Sequence, residues 1–159
     1  MRIRQAEPSD WAGIWAILEP ILRGGEHYAL PRDWSEAQAR AFWLRGDECF
    51  VAEDAGRILG TYYVRPNAQG GGAHVANGGY AVADDAAGRG VGRALCQHSL
   101  DEARRRGFRA MQFNFVIASN ERAVHLWKRL GFAEAGRLPG AFAHPRLGYI
   151  DALVMFRAL

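Results

Sequence analysis

Apolar and polar positions along the chain change their period several times, and each change marks an element. Residues 2–5 alternate in the manner of a half-buried strand. Pro8, Ser9 and Asp10 supply helix-start chemistry for a run in which Ile14, Ile17, Leu18 and Ile21 recur at helical spacing. Beyond Gly24 and Gly25, Ser35 is placed to cap a second helix that turns Ala39, Phe42 and Trp43 to one face. Two strands follow around Asp54-Ala55-Gly56, a hairpin signal. Residues 67–83 combine a glycine-rich front with an apolar strand near Gly79 to Ala83. A helix then reaches about Arg106, where Gly107 stops it, and residues 109–119 read as an apolar strand with Gln112 and Asn114 set into it. A short helix capped by Ser119 or Asn120 carries Ala123, Val124, Trp127 and Leu130 on its inner face and ends at Gly131. Two further strands around a Pro/Gly-rich loop close the chain. This order predicts an α+β fold, an α/β sandwich with a mixed sheet and helices on both faces. No linker or repeat divides it, so residues 1–159 read as a single domain.

Composition adds exclusions. With 49% hydrophobic and 23% charged residues the chain suits one core. No stretch approaches the roughly 20 apolar residues of a membrane span, and the first residues lack a signal peptide's apolar centre. A soluble, cytoplasmic protein without a membrane partner is expected. Cys49 and Cys96 lie far apart with no metal-ligand spacing, so neither a zinc site nor a disulfide is indicated, and no metal is expected. The net charge of +3 is mild. Arg104, Arg105 and Arg106, with Arg109, fall where a helix ends and complement its dipole as solvated side chains. No basic stripe interleaved with aromatics is present, which argues against a nucleic-acid partner.

The stretch Ala87-Gly88-Arg89-Gly90-Val91-Gly92-Arg93 places three glycines and two arginines between an apolar strand and a helix. Glycines there let backbone N–H groups approach a ligand, and the helix dipole favours an anion, so phosphate is the natural occupant. A tight turn whose glycines serve only packing is the structural alternative. No lysine followed by Ser or Thr completes a nucleotide-hydrolysing loop, and the glycine spacing and mid-chain position do not suit a dinucleotide fold.

This loop resembles the pyrophosphate loop of the GNAT acyltransferase superfamily, with Ala87 standing where Gln or Arg is usual. The segment from Ser119-Asn120 through Ala123 to Leu126-Trp127-Lys128-Arg129-Leu130-Gly131-Phe132 resembles that family's next helix. Together with the element order, the resemblance covers nearly the whole chain. It implies a GNAT fold, its mostly antiparallel sheet splayed between the fourth and fifth strands. It also implies transfer of an acetyl group from acetyl-CoA to an amine that attacks directly in a ternary complex.

The resemblance further implies that backbone at Tyr80, Ala81 and Val82 pairs with pantetheine, the Val82 N–H facing the developing oxyanion. Gly88, Arg89, Gly90, Val91, Gly92 and Arg93 would hold the phosphates, with Asn120, Ala123 and Trp127 along the arm. Helix capping alone also explains Asn120. Trp127 occupies the position of the family's usual tyrosine acid, which leaves Tyr149, His144 or His125 as candidates for protonating the thiolate, or no side chain at all. Asn114 interrupts an apolar strand, where an unpartnered buried amide costs about 1–3 kcal/mol. It either bonds the unpaired backbone at the splay or, with Asn77 across the cleft, grips the substrate. The two asparagines, Trp127 and the spacing from Asn114 to Asn120 are similar to fungal N-acetyltransferases that act on proline analogues. Glu26, His27 and Tyr28 form one expected substrate wall; Phe142, His144 and Tyr149 form the other, with Arg146 able to meet a carboxylate. A small amino acid or related amine is the expected acceptor. A peptide or protein amine, and a non-catalytic acyl-CoA-binding module, are the alternatives. A strand left exposed at the sheet's end leaves a homodimer open.

Overall fold

The computed structural model describes residues 1–159. Its elements are β1 (Arg2–Gln5), α1 (Trp11–Gly24), α2 (Glu36–Trp43), β2 (Cys49–Asp54), β3 (Arg57–Pro66) and β4 (Val75–Val82), then α3 (Val91–Arg105), β5 (Ala110–Ile117), α4 (Glu121–Arg129), β6 (Ala133–His144) and β7 (Gly148–Ala158). The order is the one the sequence predicts. Local chemistry accounts for most boundaries. Ser35 accepts from the Gln38 N–H while the Gln38 side chain returns to the Ser35 N–H, a capping box that starts α2. Ala55 and Gly56, at φ of 48° and 77°, make the two-residue turn between β2 and β3.

One sheet holds all seven strands in the order β1-β2-β3-β4-β5-β7-β6, antiparallel except for β4 beside β5. Two cores form, one on each face. Tyr62 joins Leu95, Leu100, Met111 and Trp127 beneath α3 and α4, while its neighbour Tyr63 points oppositely to join Ile14, Leu18 and Trp43 beneath α1 and α2. Period-2 alternation in β3 sends the two tyrosines to opposite layers.

β4 begins at Val75, four residues earlier than the predicted start near Gly79. Gly79 lies within it because the Tyr63 ring crosses there, 2.6 Å from where its Cβ would stand, and at Gly78 a Cβ would meet the Tyr80 hydroxyl at 3.0 Å. The arginines ending α3 are not simply solvated. Arg105 and Arg106 both bind Glu102, at 2.5 and 2.6 Å, and Arg105 foremost holds that carboxyl down at about 2. Cys49 and Cys96 are free and buried. No helix is long and apolar enough to cross a membrane.

Candidate active site

β4 and β5 pair only at Val75↔Ala110 and Ala76↔Met111. Beyond Ala76 the strands part, and a cavity of about 440 Å³ opens between them. Its walls include Asn77 to Val82 of β4, Phe113 to Ile117 of β5, Asn120, Ala123 and Trp127 at α4, and Tyr28 from the α1–α2 segment. The Ala83 N–H bonds the Leu59 carbonyl of β3 at 2.9 Å, so alternation along the strand turns Gly79 and Ala81 toward β3 and Gly78, Tyr80 and Val82 toward the opening. Ala81 therefore spends its backbone on the sheet, and its buried methyl packs in the α1–α2 core; this corrects its expected place on the pantetheine path. At Tyr80 the N–H donates to the Tyr28 hydroxyl at 2.7 Å, and the same hydroxyl donates to the Tyr80 carbonyl. Val82 has no strand partner on that side. The Tyr80 phenol reaches away from the opening to Ser99, at 2.6 Å, so the side chain serves the core as expected.

A larger groove of about 610 Å³ lies between α1 and the β2–β3 turn. Both of its arginines are paired within its own wall: Arg4 binds Asp10 at 2.7 Å and Glu53 at 2.8 Å, and Arg57 binds Asp85 at 2.6 Å. The splayed cleft, with unpaired backbone and converging amides, is the site equipped for chemistry.

The glycine loop meets the cleft through Ala87, which lines it. Gly88 and Gly90 have φ of 77° and 80°, which L side chains rarely adopt, and no atom lies within 4 Å of where either Cβ would stand. Gly90 caps α3, whose first helical bond runs from the Ala94 N–H to the Gly90 carbonyl at 3.0 Å. The N–H groups of Val91, Gly92 and Arg93 thus have no helical acceptor and face outward, while Arg89 and Arg93 are exposed without an ion-pair partner. An open cradle, unpaired donors and two unspent guanidinium groups fit a pyrophosphate. The Val91 side chain is core, leaving its backbone alone to serve this loop.

At the other end several expectations change. Asn114 is exposed rather than buried. Its Nδ2 donates to Asn67 Oδ1 at 2.6 Å and its Oδ1 accepts from Gln112 Nε2 at 2.8 Å, which fixes the orientation of the amide. The bond to unpaired splay backbone is made by Asn77, whose Nδ2 donates to the Gln112 carbonyl at 3.0 Å. Both asparagines line the cleft. Asn120 does cap α4, accepting from the Ala123 N–H at 3.3 Å, and it faces the cleft as well. Trp127 is 8% exposed, 5.0 Å from the Tyr80 ring and 4.9 Å from Phe113, and its indole N–H makes no protein hydrogen bond.

The β6–β7 hairpin residues stand apart from the cavity. Tyr149 is 83% exposed and does not line it. His144 is buried, and its Nδ1 accepts from the N–H groups of Arg146 and Leu147, both at 3.1 Å, so it holds the hairpin turn. Phe142 is buried against Phe115, which does line the cleft, at 6.3 Å between rings. A register shift between Leu138 and Phe142, at Pro139 and the left-handed Gly140, precedes these residues along β6. His125 is exposed on α4 and lies off the wall. Arg146, expected to meet an acceptor carboxylate, is instead paired with Glu26 at 2.8 Å, which ties the hairpin to the α1–α2 segment. His27 and Tyr28 line the cavity; Glu26 does not.

Asn67, Gln112, Phe115 and Arg122 were not anticipated. Gln112, two residues from Asn114 on one strand, shares its face, a signal that alternation offered. Burial pushes the Tyr28 phenol well above its ordinary value, with the Tyr63 hydroxyl adding to the shift. Asp84 is the only carboxylate on the cavity wall.

Comparison with known proteins matches residues 11–132 to the model of the acetyltransferase (GNAT) family. The N-acetyltransferase aca1 of Schizosaccharomyces pombe is 38% identical over 103 residues, which is 61% of this chain and 47% of that protein. The mycothiol acetyltransferase of Rhodococcus jostii is 38% identical over 85 residues, 52% of this chain and 28% of the relative. The chain thus spans about half or less of the length of these curated relatives. The solved structure of a GCN5-related N-acetyltransferase from Kribbella flavida superposes with a TM-score of 0.96 at 45% identity, over 99% of this chain and 97% of the other.

Proposed function

The chain belongs to the acetyltransferase (GNAT) family, and from that premise we propose that it moves the acetyl group of acetyl-CoA to the amine of a small molecule, an amino acid or related amine. The observation that carries this reading is the continuity of an unpaired glycine cradle with a cleft whose β4 edge is free at Val82. The phosphates would lie against the N–H groups of Val91, Gly92 and Arg93, with Arg89 and Arg93 adding charge-assisted bonds. Asn120, already spending its oxygen on the helix, has its amide N–H groups left for the arm. Acetyl-CoA supplies the activated thioester.

In the step itself the amine must arrive unprotonated, the oxyanion must be stabilised, and the leaving thiolate must be tolerated. The Val82 N–H points into the cleft to meet the oxyanion. An aliphatic ammonium ordinarily loses its proton near pH 10, so an assisting base is useful. Asp84 and His27, both on the wall, would relay that proton through water. No phenol takes the place of Trp127, and the thiolate leaves as the anion and takes its proton from solvent. Asn114 and Asn77 would grip the acceptor, and the Glu26–Arg146 tie beside aromatic walls favours a small one over a peptide.

The test is release of CoA thiol from acetyl-CoA with a panel of free amino acids including cyclic imino acids, polyamines, aminoglycosides and short peptides. Release above hydrolysis with small amines is the expected result. Release with peptides alone would transfer the reading to a protein acceptor. Tight acetyl-CoA binding with silence across the panel would favour a binding module.

A further inference from the structure

Tyr28 stands at a point of the cleft that these roles do not use. Its hydroxyl, brought 52 residues along the chain, satisfies both polar groups that β4 turns inward at Tyr80. Two residues farther on, the Val82 N–H points the same way along the same edge. Trp127, packed on the Tyr80 ring, bounds that stretch from the α4 side, and the Tyr28 ring is held edge-on to Trp43 at 6.0 Å. A neutral donor on a packed ring therefore sits on the β4 edge two residues before the backbone donor assigned to the oxyanion.

We propose that Tyr28 is a catalytic residue whose hydroxyl donates a hydrogen bond to the thioester carbonyl oxygen of acetyl-CoA, and to the oxyanion formed from it, together with the Val82 N–H. This rests on the acetyl-transfer reading above. An amide-bearing arm that pairs with the β4 edge offers an N–H to the Tyr80 carbonyl, which releases the Tyr28 proton to a new acceptor. The amine lone pair then forms the C–N bond while the carbonyl π pair moves onto oxygen, where two donors meet it. On collapse that pair returns, the C–S bond breaks with its electrons leaving on sulfur, the nitrogen proton passes to water, and water supplies one to sulfur. Tyr28 keeps its own proton throughout. Burial raises its phenol, which suits a permanent donor and ill suits an acid for the departing thiolate.

Tyr28→Phe removes the hydroxyl and keeps the ring against Trp43. The primary readout is the infrared carbonyl band of acetyl-CoA labelled with carbon-13 at that carbonyl, in its complex with the protein, which needs no turnover. The band should lie at lower wavenumber with wild type than with Tyr28→Phe. Affinity should be nearly unchanged, and kcat should fall about 10²-fold, the scale for one lost oxyanion donor. Fluorotyrosine at position 28, a stronger donor of the same shape, should move the band further down, and it serves if the phenylalanine variant fails to fold. Equal bands in all three proteins would overturn the proposal. So would an unchanged kcat, or a folded Tyr28→Phe that also loses acetyl-CoA binding, since either makes Tyr28 a wall residue only. A wild type that shows the band shift yet acetylates no amine would refute the transfer reading while leaving the hydrogen bond established. A wild type that does not bind acetyl-CoA would sink both.

Discussion

The two ends of the cleft are built by opposite means. At the phosphate end a single run, Ala87 to Arg93, does the work with backbone: two left-handed glycines, three unpaired helix N–H groups and two guanidinium groups from the same loop. At the acceptor end, beside the local Gln112–Asn114 bond, side chains join distant segments. Asn114 meets Asn67 across 47 residues, Tyr28 meets Tyr80 across 52, and Glu26 meets Arg146 between the α1–α2 segment and the hairpin. A local backbone cradle suits a ligand part that never changes. A wall of exchangeable side chains suits the part that defines the acceptor.

If that contrast holds, damage at the phosphate end should destroy co-substrate binding outright. Gly90→Glu places a side chain in the left-handed region and a carboxylate where phosphate belongs. Acetyl-CoA affinity measured by calorimetry should fall by more than about 100-fold, some 2.8 kcal/mol or more, with the fold retained by circular dichroism. Unchanged affinity would remove the loop from the site.

Damage at the acceptor end should instead spare the co-substrate. Asn114→Ala is expected to lower kcat/KM for the acceptor about tenfold, near the 1.4 kcal/mol of one hydrogen bond, with acetyl-CoA affinity unaltered. Equal turnover would return Asn114 to a structural role beside Gln112 and Asn67.

The same division explains what was legible in the sequence. The glycine loop, the Asn120 cap and the element order depend on neighbours in the chain, and Gly88, Gly90 and Ser35 announce them by residue type. Of the two readings of Asn114, the bond to splay backbone is the one Asn77 makes instead, from another strand, a fact set by register between strands. His144 and Tyr149 lie at the tip of a hairpin, where residue type gave no warning that one would hold a turn and the other face water. Asn67 carries no local signature at all, and only the third dimension brings it to Asn114.

Asn67 also tests whether the acceptor end behaves as a unit. Asn67→Ala removes the acceptor that holds Asn114 Nδ2 and should cost turnover a few-fold, about 0.5–1 kcal/mol, without touching the cavity wall. The double variant with Asn114→Ala should lose no more than Asn114→Ala alone, because residues in one hydrogen-bond network do not add. Full additivity in kcat/KM would show that the two asparagines act separately. Pairing any phosphate-end variant with Asn114→Ala should, by contrast, give additive losses.

The smallest expected effect belongs to the Glu26–Arg146 tie, and it separates fastening from recognition. Arg146 is 72% exposed, so the pair contributes between about 0 and 1 kcal/mol and weakens as salt screens it. If the tie only fastens the α1–α2 segment to the hairpin, Glu26→Gln should change acceptor KM by about twofold or less at low ionic strength, and that difference should vanish in high salt. Its kcat and acetyl-CoA affinity should match wild type, because neither residue lines the cavity. If Arg146 is instead released to meet an acceptor carboxylate, Glu26→Gln should lower KM for acidic acceptors and leave neutral amines untouched. Steady-state kinetics with an amino acid and its amide, at two salt concentrations, distinguishes a fastening whose loss is indifferent to acceptor charge from a guanidinium that the acceptor competes for.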